Sequence, residues 1–141
     1  VGSEMCIRDR DGAAERIFPT TLTLEHQCLR VVASRSHLGE REQQIVARLR
    51  ERFENLEMLN MGSSLKFCLL AEGVADFYPR LAPTSEWDTA AAHAVLRAAG
   101  GDVVTSDFLP LRYNQKKELL NPHFMAMADA SFDWREILRQ Q

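Results

Sequence analysis

The sequence predicts an α/β domain in which helices cover a mixed sheet. Three observations carry that expectation. Short β-rich runs alternate with helical patterns, glycines and prolines separate them, and the composition is that of a globular chain. Apolar residues make up 45% and charged residues 26% of the 141 residues, enough to bury one core.

Taken in order, residues 11–23 are weakly patterned, with a short strand expected at 15–18 and ended by Pro19. Residues 30–34 (RVVAS) read as a short buried strand, which Ser36, His37 and Gly39 interrupt. Residues 39–54 form a charged helix whose stripe of Ile45, Val46, Leu49 and Phe53 must face a core. Its charge run, residues 40–52, is expected to be a solvated face. A second strand follows at 56–61. Gly62-Ser63-Ser64 then opens an apolar helix that Gly73 closes. Residues 75–81 (ADFYPRL) alternate as a strand, with Tyr78 and Arg80 on one face and Phe77 and Pro79 on the other. Pro79 places the end of that strand near a sheet edge or an exit. Thr84 or Ser85 caps a helix over 86–99, and Gly100-Gly101 stops it. Strands at 102–106 and 124–128 are separated by turns at Pro110, Asn114 and Asn121-Pro122, and residues 132–139 close the chain as a terminal helix or tail.

Composition also excludes. Seventeen basic against twenty acidic residues leave a formal charge of −3, which gives no support for a nucleic-acid binder. No run reaches the roughly 18 consecutive apolar residues of a membrane span. No basic segment followed by an apolar stretch marks a secretory signal. Cys6, Cys28 and Cys68 show no metal-ligand spacing, and so odd and scattered a set argues against a disulfide framework and a zinc site. Cytoplasm is the default compartment. Residues 1–10 read unlike the rest: MCIRDR resembles translated sequencing-adapter sequence, the alternative being a disordered native terminus. On the first reading the protein continues upstream.

Polar residues concentrate at three strand or helix ends. Ser34-Arg35-Ser36-His37 follows a buried strand. Gly62-Ser63-Ser64-Leu65-Lys66 places free N–H groups, hydroxyls and an ammonium where an anion is held. Trp87-Asp88-Thr89 sets a carboxylate in the first turn of a helix of small residues, where the helix dipole favours its ionised form. Each has a plainer role as well. Ser63 serves as an N-cap worth about 1 kcal/mol, Asp88 answers the helix dipole, His37 lies in a surface loop, and Arg80 joins a surface ion pair. Trp87 is expected to anchor the core, with Met58, Met61, Met125 and Met127 as strand and core residues.

The ordered set SRSH, GSSLKF, ADFYPRL, WDTAA and LNPHF resembles the inositol-monophosphatase superfamily, and its bisphosphate nucleotidase branch most of all, over residues 29–129. The resemblance implies a two-domain αβαβα phosphatase with its site between the domains. This chain would supply the C-terminal mixed-sheet subdomain. Residues 1–10 would then be a non-native or disordered terminus, 11–29 the end of a truncated N-terminal half, 30–129 the substrate and metal subdomain, and 130–141 a tail. Relatives carry a glutamate and an Asp-Pro-(Ile/Leu)-Asp-Gly-Thr motif upstream, and neither motif occurs here. By resemblance Asp88 is a magnesium ligand that also meets the substrate, the one catalytic group in this chain. Ser63 and Lys66 lie near the phosphate that is not hydrolysed, and His37 and Arg80 contribute to nucleotide binding. The implied reaction converts adenosine 3′,5′-bisphosphate to AMP and phosphate. The rivals are a sugar phosphatase of the inositol-monophosphatase type and a stand-alone, non-catalytic binding module. Ala92 stands where relatives generally have glycine, and its added methyl is small enough to be tolerated.

Overall fold

The computed structural model describes residues 15–23, 25, 28–33, 39–62 and 64–138. It is built on a five-stranded sheet of order β2-β1-β3-β5-β4. The strands are β1 (Cys28–Ala33), β2 (Asn55–Asn60), β3 (Phe77–Arg80), β4 (Asp102–Thr105) and β5 (Phe124–Met127). β1 runs parallel to both β2 and β3, whereas β5 is antiparallel to β3 and β4. The sheet is therefore mixed, as the alternation of elements predicts. Leu29, Val31 and Val32 of β1 are fully buried, the near-continuous apolar run of a strand covered on both faces.

Helices α1 (Glu40–Arg52) and α4 (Trp134–Leu138) cover one face, and α2 (Leu65–Ala71) and α3 (Glu86–Ala99) the other. In α1 the acidic Glu40 and Glu42 open the helix and Arg50 and Arg52 close it, each complementing the nearer end of the helix dipole. Val46, Leu49 and the following Phe53 pack with Phe77, Met125 and Trp134. The rings of Phe77 and Trp134 stack with centroids 4.7 Å apart. On the opposite face Phe67, Leu70, Val95 and Leu96 pack with Tyr78 and Phe124. Phe77 and Tyr78 thus serve different cores, as the period-two alternation of β3 requires.

At the N-terminal ends of the parallel strands Arg30 grips Asp76, which is fully buried. Nη2 lies 2.7 Å from Oδ1 and Nε 3.0 Å from Oδ2, while Nη1 donates to the Gly73 carbonyl. Gly73 has φ of 71°, and a Cβ there would lie 2.8 Å from the Phe18 carbonyl oxygen, so glycine ends α2 for both reasons. Leu22 is tied to the far end of β5 by its N–H, which donates to Asp129 Oδ2 at 2.8 Å.

Four expectations need correction, and one alternative is decided. Residues 15–18 form no strand. Pro79 marks an exit and not an edge: it stands one residue before the end of β3, inside the sheet, and pairs with Met125 of β5. Proline is accommodated there because the pairing of β1 with β3 is at Val31 and Phe77, two residues earlier. Trp87 anchors no core: it is 69% exposed, on the outward side of the first turn of α3. Glu42, in the run expected to be solvated, is buried and accepts the Leu81 N–H at 3.0 Å. Cys68 is disulfide-bonded, so three unpaired thiols is not the right description.

Candidate functional site

β2, β1 and β3 are mutually parallel, so their C-terminal ends share one edge of the sheet. Every segment singled out for its chemistry follows one of those ends in sequence. β1 leads to α1 on one face and β3 leads to α3 on the other. Such a divergence between adjacent parallel strands opens the crevice in which ligands of α/β sheets sit.

Lys66 enters this crevice from the first turn of α2. It is only 4% exposed, and its ammonium lies 5.1 Å from the centroid of the Tyr78 ring. That ring stands edge-on to Phe67 and Phe124, at 5.6 and 5.9 Å, so the lysine rests on an aromatic floor. Burial, and then the charge of Arg80, push Lys66 below the usual lysine range. Burial also pushes the Tyr78 phenol up, against the opposing pull of Arg80.

Arg80 ends β3 on the same face as Tyr78. Its Nη2 reaches the Pro83 carbonyl only at 3.4 Å, a weak contact. Its Nε is buried and has no acceptor among the described residues. The pair therefore combines a desolvated ammonium with an unsatisfied guanidinium N–H. An anion beside Arg80 would satisfy that N–H, and the neighbouring ammonium would add to its attraction.

Asp88 lies in the first turn of α3. Its Oδ2 accepts the Ser85 N–H at 2.9 Å, and the residue is exposed. Ser85, not Thr84, is the N-cap. No hydrogen bond engages Asp88 Oδ1 among the described residues, so that oxygen can serve as one ligand of a hard cation. The described residues contain no group of three or more His, Cys, Asp or Glu able to hold a metal. Asp88 alone thus fits as a contributor to a magnesium site and not as the whole of one.

Two contributors escape sequence reasoning. Asn121 Nδ2 lies within hydrogen-bond reach of Thr84 Oγ1 at 3.1 Å, Ser85 O at 2.9 Å and Thr89 Oγ1 at 2.9 Å. Its backbone N–H donates to Thr84 O, and Glu86 N–H donates to Leu119 O, so residues 119–121 strap the entry of α3. Asn121-Pro122 signalled a turn and, within LNPHF, the family resemblance, but not this role. Glu42 fixes the exit of β3 through Leu81, and nothing in a charged helical run distinguishes it. Of the residues singled out from the sequence, the structure brings Lys66 and Arg80 together and places Asp88 on the same edge. His37 and Ser63 lie outside the described residues.

The model of the inositol monophosphatase family matches residues 12–132. The chain belongs to that family. It is 52% identical over 77 residues to the 3′(2′),5′-bisphosphate nucleotidase CysQ of Haemophilus influenzae, covering 55% of this chain and 29% of that protein. It is 47% identical over 94 residues to the CysQ nucleotidase of Escherichia coli K12, covering 67% of this chain and 37% of the relative. The crystal structure of CysQ from Bacteroides thetaiotaomicron, described as a bacterial member of the inositol monophosphatase family, superposes with a TM-score of 0.70. Identity there is 44%, over 82% of this chain and 41% of that one. The matches therefore span about a third of the length of these curated nucleotidases. They confirm the mixed-sheet subdomain of the inositol-monophosphatase fold that the motifs imply.

Proposed function

We propose that this chain is the substrate-binding, C-terminal half of a cytoplasmic, magnesium-dependent phosphatase that converts adenosine 3′,5′-bisphosphate to AMP and phosphate. The observation that carries this reading is the pairing of Lys66 and Arg80 at the C-terminal edge of the sheet, in segments like those of the bisphosphate nucleotidases. A bisphosphate needs a fixed holder for the phosphate that is not transferred, and two cations on an apolar floor meet that need. Lys66, with Ser63, holds this phosphate. Arg80 and His37 orient the nucleotide, and Asp88 faces the phosphoryl group that leaves. Magnesium, when bound, would neutralise developing charge and activate a water.

One carboxylate cannot fill the near-octahedral shell that magnesium requires. The remaining ligands come, on this reading, from a preceding half of the polypeptide. Leu65, Trp87, Leu119 and Leu120 stand exposed around the same edge and give that half an apolar surface to cover. The partner is thus the missing N-terminal half, with no nucleic acid or membrane span involved. Among the described residues no helix is long and apolar enough to cross a membrane.

The test compares the 141-residue chain with the full-length enzyme, meaning this chain joined to the half that precedes it. With magnesium, the chain alone should release no phosphate from adenosine 3′,5′-bisphosphate, and the full-length enzyme should release it. Robust turnover by the chain alone, or none by the joined protein, refutes the reading.

A further inference from the structure

A second cavity lies across the sheet from Lys66, against α1. It measures about 300 Å³ and is lined by Arg41, Gln44, Ile45 and Arg48 of α1, with Leu81, Ser106, Asp107, Phe108, His123, Met125 and Leu138. Positions 41, 44, 45 and 48 are one stripe of a 3.6-residue helix, adjoining the stripe of Val46, Leu49 and Phe53, and Ile45 belongs to both because it also packs against that core. The opposite wall is the β4–β5 connection, pinned where Ser106 N–H donates to the His123 carbonyl at 3.0 Å. The cavity therefore has an apolar floor of Ile45, Phe108 and Met125 under a rim of two arginines and a histidine.

The rim is arranged to act on a ligand. Arg48 is half-buried and held by one bond, Nη1 to the Leu138 carbonyl at 3.0 Å, which points the guanidinium along the wall. The side chains of Arg41 and His123 make no hydrogen bond or ion pair among the described residues. Asp107 is the one carboxylate of the lining and sits exposed at its margin. Two guanidinium groups against one carboxylate favour an anion, to which the His123 ring can add a hydrogen bond. A volume at the lower end of small-molecule sites limits the occupant to one compact molecule.

We propose that this cavity is a second ligand site, binding a small phosphomonoester that carries a planar ring. The phosphate meets Arg41, Arg48 and His123, and the ring lies on Ile45, Phe108 and Met125. The site is separate from the crevice of Lys66 and Arg80, which opens on the other face, and it does not rest on the phosphatase reading.

The test uses the chain labelled with ¹³C at its methionine methyls and phenyl phosphate as the probe, without divalent cation. Met125 forms the floor of this cavity, whereas Met61 packs against the core under Lys66. Saturable movement of the Met125 resonance, with Met61 unmoved, is expected. Arg41→Gln should weaken that binding about tenfold or more, the effect of losing one charge-assisted contact. Arg41 is exposed and the change leaves the core alone. Arg48→Gln is the second variant and should act in the same direction. Lys66→Ala should leave the Met125 titration unchanged. The proposal is overturned if Met125 does not respond at millimolar probe, or if Arg41→Gln has no effect. It is equally overturned if Lys66→Ala abolishes the response, or if inorganic phosphate binds as tightly as phenyl phosphate and the floor plays no part.

Discussion

Asp88→Asn separates the structural from the chemical role of the carboxylate. In the structure Oδ2 accepts the Ser85 N–H at 2.9 Å. Asparagine keeps an oxygen there, so the hydrogen bond survives. What disappears is the negative charge at the positive end of α3, worth about 0.3–1 kcal/mol at an exposed helix terminus. For a chain of this size that lowers Tm by roughly 1–4 °C. Asp88→Ala loses the hydrogen bond as well and should cost about 1 kcal/mol more. Both variants of the isolated chain should therefore fold, which differential scanning calorimetry checks. In the full-length enzyme the charge is what a hard cation requires. Asp88→Asn should then lower kcat by about a hundredfold or more, equivalent to about 2.7 kcal/mol of barrier, and raise the magnesium concentration needed for half-maximal rate. A rate near that of the unaltered enzyme, with the same magnesium dependence, would reduce Asp88 to a helix-terminus residue and remove the metal from this edge of the sheet.

Lys66→Ala and Arg80→Ala in the full-length enzyme should each lower kcat/KM for adenosine 3′,5′-bisphosphate roughly ten- to a hundredfold, with far less effect on inositol monophosphate. Equal losses on both substrates would assign the pair to the common phosphate. Asp76→Asn removes the charge opposite Arg30 from a fully buried position. It should destabilise the chain by about 3 kcal/mol, read as a lower urea midpoint at unchanged slope. Asp129 supplies a pH signature. Burial acts to raise its carboxyl, but hydrogen bonds from the Ser131 side chain and from backbone N–H groups including Leu22 outweigh it, and the net shift is downward. Its contribution is therefore present above the ordinary value of 3.8 and lost as pH falls through the lower folded value. Acid unfolding followed by circular dichroism should show Asp129→Asn less stable at neutral pH, with a shallower loss below pH 3.8; an unchanged slope in that window would contradict the assignment.

The elements were legible because their signals are local. The helix over 86–99 is where its cap and its glycine stop place it. β1, β2 and β5 fall within two residues of their expected bounds at each end. Strand order was not legible, because it depends on long-range pairing. Pro79 shows the consequence: the sequence left an edge and an exit open, and only the pairing of β1 with β3 at Phe77 decides for the exit. Trp87 shows a second limit. Aromatic bulk argues for burial, but the helical phase of the first turn sends this side chain outward while Thr89, two residues on, is buried.

The site was legible in a different way. Chemistry-bearing residues sat at the ends of strands, and the sequence alone does not say that three such ends are neighbours. The parallel order β2-β1-β3 makes them so, because each crossover between parallel strands returns the chain to the same edge. Once that topology exists, Lys66 need only stand one turn into α2, and Arg80 need only close β3, for two cations separated by 13 residues to meet over Tyr78. Their closeness would destabilise the fold if it served nothing, since burial and then the charge of Arg80 hold the Lys66 ammonium below its usual range, and Arg80 carries a buried N–H without an acceptor among the described residues. Glu42 and Asn121 answer a mechanical need instead, clamping the exit of β3 and the entry of α3 on either side of that pair. A crevice clamped on both sides, with a buried Arg80 N–H between that no described residue accepts, is arranged for an anionic ligand.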